Sequence, residues 1–190
     1  MNEKNNIYNS KSIEATVLIS DIKDFTKITE DSSPKSIIRL LNDFYLETKK
    51  IANNNLGIVT NFIGDGALIV FGAPSLTYTH SFDAIRSSIE MIKSVSKLSK
   101  ELNLRIGIAT GKVIYGLMDN SLGIIIAGNV PRFASKLCKL NKIFYSNILI
   151  SETTYKYVGD LIKVKEFERK GVIPDFPGIN SIYEVLEIIK

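Results

Sequence analysis

The string Gly64-Asp65-Gly66 is a tight-turn signal between two short apolar segments, and long amphipathic patterns flank it on both sides. Before it, Ile58, Thr60 and Phe62 recur at every second position. After it, Ala67 to Phe71 is a continuous apolar run. Glycines on either side of one aspartate let the backbone reverse sharply, so the two segments predict a hairpin with Asp65 at its tip. Upstream, Ser33 offers an N-cap and Pro34 a first helical position. Ile37, Leu41, Phe44, Thr48 and Ile51 then follow at spacings of three and four, predicting a helix that closes near Asn53 to Asn55. Downstream, Phe82, Ile85, Ile89, Ile92 and Val95 predict a second helix. The run Ala15 to Ser20 predicts a buried strand ending at Asp21, and Leu104 to Ala109 another leading to Thr110-Gly111. Strand, helix, hairpin, helix, strand is the βαββαβ order of a ferredoxin-like palm, an α+β fold. Lys112 to Leu117 and Ile124 to Ile126 predict extra strands beyond the palm, and Pro131 to Leu140 a helix. Ile148 to Ile150 predicts a strand that ends at an N-cap, Ser151-Glu152. Lys163 to Phe167 and Ile182 to Leu186 form a closing pair around the loop Gly171 to Asn180.

A length of 190 residues suits one domain, here 13–190, after a polar segment 1–12. No apolar stretch approaches the ~18 residues of a membrane span, and the first residues carry no leader pattern. The expectation is a soluble cytoplasmic protein with no attached sensor. The formal charge of +4 tolerates a polyanionic ligand, but no basic block interleaved with aromatics marks a nucleic-acid groove. The single Cys138 lies on an apolar helical stripe with Phe133, Leu137 and Leu140, which reads as a buried thiol. The single His80 is given no catalytic role.

Asp21, at the end of one strand, and Asp65, at the tip of a hairpin pairing beside it, can meet on one edge of the sheet. Two carboxylates with backbone oxygens such as that of Ile22 suit hard divalent cations of the Mg²⁺ or Mn²⁺ type. Two such cations polarise an attacking hydroxyl and neutralise a triphosphate. Gly64 and Gly66 allow the turn and leave room for a bulky anion. N–H groups in Ile22 to Thr26, including those of Phe25 and Thr26, can cradle phosphate oxygens.

Four strings carry a family resemblance. They are Ser20-Asp21-Ile22-Lys23-Asp24-Phe25-Thr26, Phe62-Ile63-Gly64-Asp65-Gly66 with Phe71-Gly72-Ala73-Pro74, Arg105-Ile106-Gly107-Ile108-Ala109-Thr110-Gly111, and Ile150-Ser151-Glu152-Thr153-Thr154-Tyr155. In order and spacing this set resembles the catalytic domain of the class III nucleotidyl cyclases, over roughly Glu14 to Asp160. The resemblance implies a homodimer with active sites at the subunit interface, two divalent cations held by Asp21 and Asp65, and a backbone carbonyl lent by Ile22. It implies in-line attack of a ribose 3′-hydroxyl on the α-phosphate, with pyrophosphate leaving.

The departures from the family pattern cluster at base recognition and at the reacting phosphate. Cyclases that use ATP carry Lys where this chain has Asn61, and a small polar or acidic residue where it has Ile125. The Glu and Cys pair that would specify guanine is absent too. Gly128-Asn129-Val130-Pro131-Arg132-Phe133-Ala134-Ser135-Lys136 aligns without gaps, so Arg132 takes the position of the ribose-contacting Asn and Lys136 that of the Arg at the reacting phosphate. Positive charge is kept with altered geometry. The Asn61 amide offers one donor and one acceptor, matching uracil or, flipped, cytosine. The architecture is similar to the stand-alone bacterial pyrimidine cyclases of Pycsar anti-phage signalling, which make cyclic UMP or cyclic CMP for a separate effector. Two alternatives remain open: a purine cyclase with an unusual pocket, and an inactive cyclase-homology module that dimerises or binds.

Overall fold

The computed structural model describes residues 10–30, 32–99, 102–117, 124–168 and 181–189. The palm consists of strand β1 (Ser10–Ile22), the short helix α1 (Phe25–Glu30), helix α2 (Pro34–Asn54), strands β2 (Gly57–Ile63) and β3 (Gly66–Phe71), helix α3 (His80–Leu98) and strand β4 (Leu104–Leu117). Strand β5 (Ile124–Ala127), helix α4 (Asn129–Phe144), strand β6 (Ile148–Ser151), helix α5 (Glu152–Val158), strand β7 (Ile162–Glu168) and strand β8 (Ser181–Ile188) follow. The sheet order is β2-β3-β1-β4-β6-β8-β7, with β5 paired to β4. Its first four strands are antiparallel neighbours, the ferredoxin-like arrangement the sequence predicts.

Local chemistry sets the element ends. Ser33 caps α2 by accepting from Ser36 N–H at 3.2 Å, and Ser151 caps α5 by accepting from Thr154 N–H at 3.1 Å. Two expectations need correction. The central strand is longer than Ala15 to Ser20 and begins at Ser10, inside the segment read as polar, because β4 pairs with it from Ser10↔Gly116 to Ile22↔Leu104. The two strands expected on either side of Thr110-Gly111 are one strand, because Thr16↔Thr110 and Ala15↔Gly111 continue that ladder without a break. Helix α4 also extends beyond Pro131 to Leu140 at both ends. The Gly171–Asn180 loop and the basic pair Arg169 and Lys170 lie outside the described residues.

Both faces of the sheet are covered. Leu18, Ile22, Ile69, Phe71, Ile106 and Ile108 pack with Phe44 and Ile51 of α2 and with Ile85 and Met91 of α3. Ala15, Val17, Val70 and Ala109 pack on the other face with Phe133, Ala134 and Leu137 of α4. This double burial is why β1 reads as an unbroken apolar run. Three buried hydroxyls are satisfied together: Thr16 Oγ1 lies 2.7 Å from His80 Nδ1 and 2.8 Å from Thr110 Oγ1, which in turn lies 2.9 Å from Thr154 Oγ1.

Helix α4 lies directly over Gly107. A Cβ there would stand 2.1 Å from the Ala134 carbonyl oxygen and 2.3 Å from the Cys138 nitrogen, both helix backbone atoms that cannot swing aside. Gly107→Ala is therefore expected to cost about 3 kcal/mol of stability, read from urea unfolding. A cost below about 0.5 kcal/mol would mean that the helix can lift without penalty.

Candidate active site

Asp21 ends β1 on the face that carries α4, two positions after Ile19. It pairs with Gly66 of β3 on one side and with Arg105 of β4 on the other. Gly64 and Asp65 form the turn between β2 and β3, and the Asp65 carbonyl accepts from Ile22 N–H at 3.3 Å. The hairpin tip is thereby tied to the end of β1, and the two carboxylates are brought together as expected. Their proximity shows in the Asp21 carboxyl, which is held above the ordinary carboxylate range, first by burial and next by the charge of Asp65; Arg105 opposes the shift.

Asp21 lines a cleft of about 260 Å³ with Ile19, Ile63, Leu68, Ser135, Cys138 and Lys139. Arg105 stands across from it, its Nε 3.4 Å from Asp21 Oδ2, with the side chain only 15% exposed. Among the described residues that buried Nε makes no hydrogen bond of good geometry, so a fixed cation faces Asp21. Arg105 and Lys139 were assigned no role from the sequence. The only signal for Arg105 was its place in one of the four strings, and its position opposite Asp21 becomes evident only from the ladder register. Cys138 is buried as expected. Its thiol donates to the Arg105 carbonyl at 3.2 Å, and burial pushes its pKa up to about 12, so it stays a thiol.

The two glycines of the turn meet different surroundings. Gly64 has φ +57, a conformation that favours glycine, and no atom lies within 4 Å of an added Cβ. A Cβ on Gly66 would stand 2.5 Å from the Ser20 carbonyl oxygen, so Gly66 serves the close approach of β3 to β1, and it also lines the cleft beside Asp21. Phe25 and Thr26 open α1, and Lys23 N–H is taken by the Asn103 carbonyl at 2.8 Å.

Asn61, on β2, pairs with Leu68 of β3 and is exposed on the face that carries Asp21. Ile125 pairs with Gly116 near the opposite end of β4. Gly116 lies eleven positions along β4 from Arg105, about 36 Å at the usual rise of a strand. Arg132 is exposed on α4 and Lys136 is half-buried one turn later; neither lines the cleft. One protomer thus gathers Asp21, Asp65 and Arg105 and holds Ile125 far from them.

A family model described as the adenylate and guanylate cyclase catalytic domain matches residues 7–174. The chain belongs to this family. It is 28% identical over 167 residues to the terminal-differentiation-specific adenylate cyclase of Dictyostelium discoideum, covering 83% of this chain and 8% of that protein. The fold superposes on the adenylyl cyclase CyaB of P. aeruginosa with a TM-score of 0.83 at 27% identity, covering 94% of this chain and 96% of that one. It superposes on the dimeric guanylyl cyclase domain of the RhoGC fusion protein of Blastocladiella emersonii with a TM-score of 0.81 at 26% identity, covering 94% and 99%.

The pair Asp21 and Asp65 suits divalent cations by its chemistry. Both donors are hard oxygens, and their mutual repulsion is relieved by a shared positive charge. Among the described residues no group of three or more His, Cys, Asp or Glu converges on a metal position. A cation on two carboxylates alone has coordination positions left for phosphate oxygens, the usual arrangement for Mg²⁺ with a nucleotide. Among the described residues no helix is long and apolar enough to cross a membrane.

Proposed function

We propose that two copies of this chain form a nucleotidyl cyclase converting a pyrimidine nucleoside triphosphate, UTP in preference to CTP, into its 3′,5′-cyclic monophosphate and pyrophosphate. The observation that carries the proposal is the meeting of Asp21, Asp65 and Arg105 at the end of β1, where Asp21 also lines a cleft. Asp21 and Asp65, with the Ile22 carbonyl, hold two divalent cations, Mn²⁺ or Mg²⁺, which supply Lewis acidity at the 3′-hydroxyl and neutralise the triphosphate. Arg105 steadies phosphate charge from the floor, and the Phe25 and Thr26 N–H groups from the opening of α1. The 3′-oxygen bonds to the α-phosphorus, the bond to the bridging oxygen breaks, pyrophosphate leaves with its electron pair and the hydroxyl proton passes to solvent.

Ile125 lies too far along β4 to reach a nucleotide held at Asp21 of its own chain, which supports a two-fold arrangement with each site drawing on both copies. The partner supplies Asn61 and Ile125 at the base, and Arg132 and Lys136 at the ribose and the reacting phosphate. Asn61 supports a pyrimidine because one amide matches the edge of uracil or cytosine, and Ile125 offers a purine no polar contact. The cyclic product then acts as a messenger on a separate effector in anti-phage defence, in keeping with the resemblance to stand-alone pyrimidine cyclases. The purine reading draws on the relatives, which are named for adenylate and guanylate chemistry.

Incubation with Mn²⁺ and each of the four ribonucleoside triphosphates, with products resolved by mass, tests the base. Cyclic UMP is expected as the main product, and Asn61→Ala is expected to cut UTP preference about tenfold while sparing phosphate affinity. A main product of cyclic AMP or cyclic GMP would overturn both the base assignment and the defence role, and no cyclic product at all would overturn the enzyme.

A further inference from the structure

Helix α2 reaches the hairpin turn through one side chain. The Tyr45 hydroxyl donates to the Gly64 carbonyl, and the Tyr45 ring stacks on Phe62 with centroids 4.2 Å apart and planes at 27°. Phe62 pairs with Ala67, a member of the core beneath α2 and α3, so the stack lies on the face away from the Asp21 cleft. Gly64, at φ +57, is the most permissive backbone position in the turn, and the peptide after it is the one a hydrogen bond most usefully anchors. The C=O and N–H of a trans peptide point in opposite directions, so a Gly64 carbonyl held toward Tyr45 turns the Asp65 N–H away from α2. The next peptide is tied as well, because the Asp65 carbonyl accepts from Ile22 N–H. Both peptide planes flanking the Asp65 Cα are therefore anchored, one by α2 and one by β1. The direction of the Cα–Cβ bond follows from those two planes.

We infer that Tyr45 is a positioning residue for Asp65, holding the turn so that the carboxylate points at Asp21 and thereby raising the affinity of the site for divalent cations. The inference rests on the metal role proposed above for Asp65. Tyr45 itself touches neither cation nor nucleotide. Its ring packs against the core and its hydroxyl orients the turn, so the two contributions separate by substitution.

The probe is Mn²⁺ alone, titrated into the purified full chain and followed by loss of the free-ion electron paramagnetic resonance signal. Tyr45→Phe keeps the ring and removes the hydroxyl, and is expected to weaken Mn²⁺ binding about tenfold while the melting temperature of the metal-free protein stays close to the parent's. Tyr45→Leu removes the ring too. It is expected to melt lower, yet to bind Mn²⁺ no more weakly than Tyr45→Phe. Parental Mn²⁺ affinity in Tyr45→Phe, alongside weakened binding in Asp65→Ala, overturns the positioning role and leaves the metal site standing. Parental affinity in Asp65→Ala overturns the metal site and the inference with it.

Discussion

Asp65→Ala is expected to form no detectable cyclic nucleotide, a fall of at least about a thousandfold, and yet to melt at a higher temperature than the parent in metal-free buffer near neutrality. Both effects have one origin. The Asp21 carboxyl is held above its ordinary value by burial and then by Asp65. A carboxyl raised on folding favours the folded state while protonated, and that contribution is lost as pH rises through the folded value. Once Asp21 is ionised it is repelled by Asp65, and removing Asp65 removes that repulsion. The stability gain should shrink as pH falls through the raised Asp21 value, because a protonated Asp21 is no longer repelled by Asp65. Added Mn²⁺ should reverse the order, raising the melting temperature of the parent and leaving that of Asp65→Ala in place, because only the parent holds the ion. Activity surviving in Asp65→Ala would remove the metal pair, and a lower melting temperature in metal-free buffer would mean that Asp65 is a structural residue.

Mixing two dead proteins is expected to restore turnover. Asp65→Ala lacks the metal side of the site, and Lys136→Ala lacks the cation proposed at the reacting phosphate, with an expected loss of at least about a hundredfold. In a two-fold dimer each mixed pair has one site that carries both lesions and one that carries neither. Random exchange of subunits makes about half the dimers mixed, so about a quarter of parental activity should return. A mixture as inactive as its components, under conditions where subunits exchange, would mean that each site is built within one chain, contrary to the two-copy reading.

The palm was legible because each element carries its own local signal. Ser33-Pro34 starts α2, the glycine-flanked Asp65 makes the turn, and the apolar run before Asp21 makes β1. Asp21 and Asp65 could be paired for the same reason, as each closes a readable element. Arg105 was not readable in this way. It is adjacent to Asp21 through a ladder register that joins residues 84 positions apart, and no local pattern records that register. Lys139 faces the cleft because α4 is seated on Gly107, a packing relation in which the glycine shows in the sequence and the helix above it does not. Gly111 misled in the opposite direction: glycine ordinarily weakens a strand, but the ladder with β1 is strong enough to continue through it. Gly66 was read as a turn former with clearance for an anion; its contact with the neighbouring strand depends on register and carries no local signal.

The seating of α4 on Gly107 carries a further consequence for the proposed dimer. Ser135 and Lys139 face the cleft of their own chain, while Arg132 and Lys136, on the same rigid cylinder, are assigned to the site of the partner. With helix backbone pressed against a residue that has no side chain to yield, the helix has little freedom to adjust one set without moving the other. A nucleotide that shifts α4 on entering one cleft would alter the second before it is filled, so the two sites would share a single mechanical element and fill with unequal affinity.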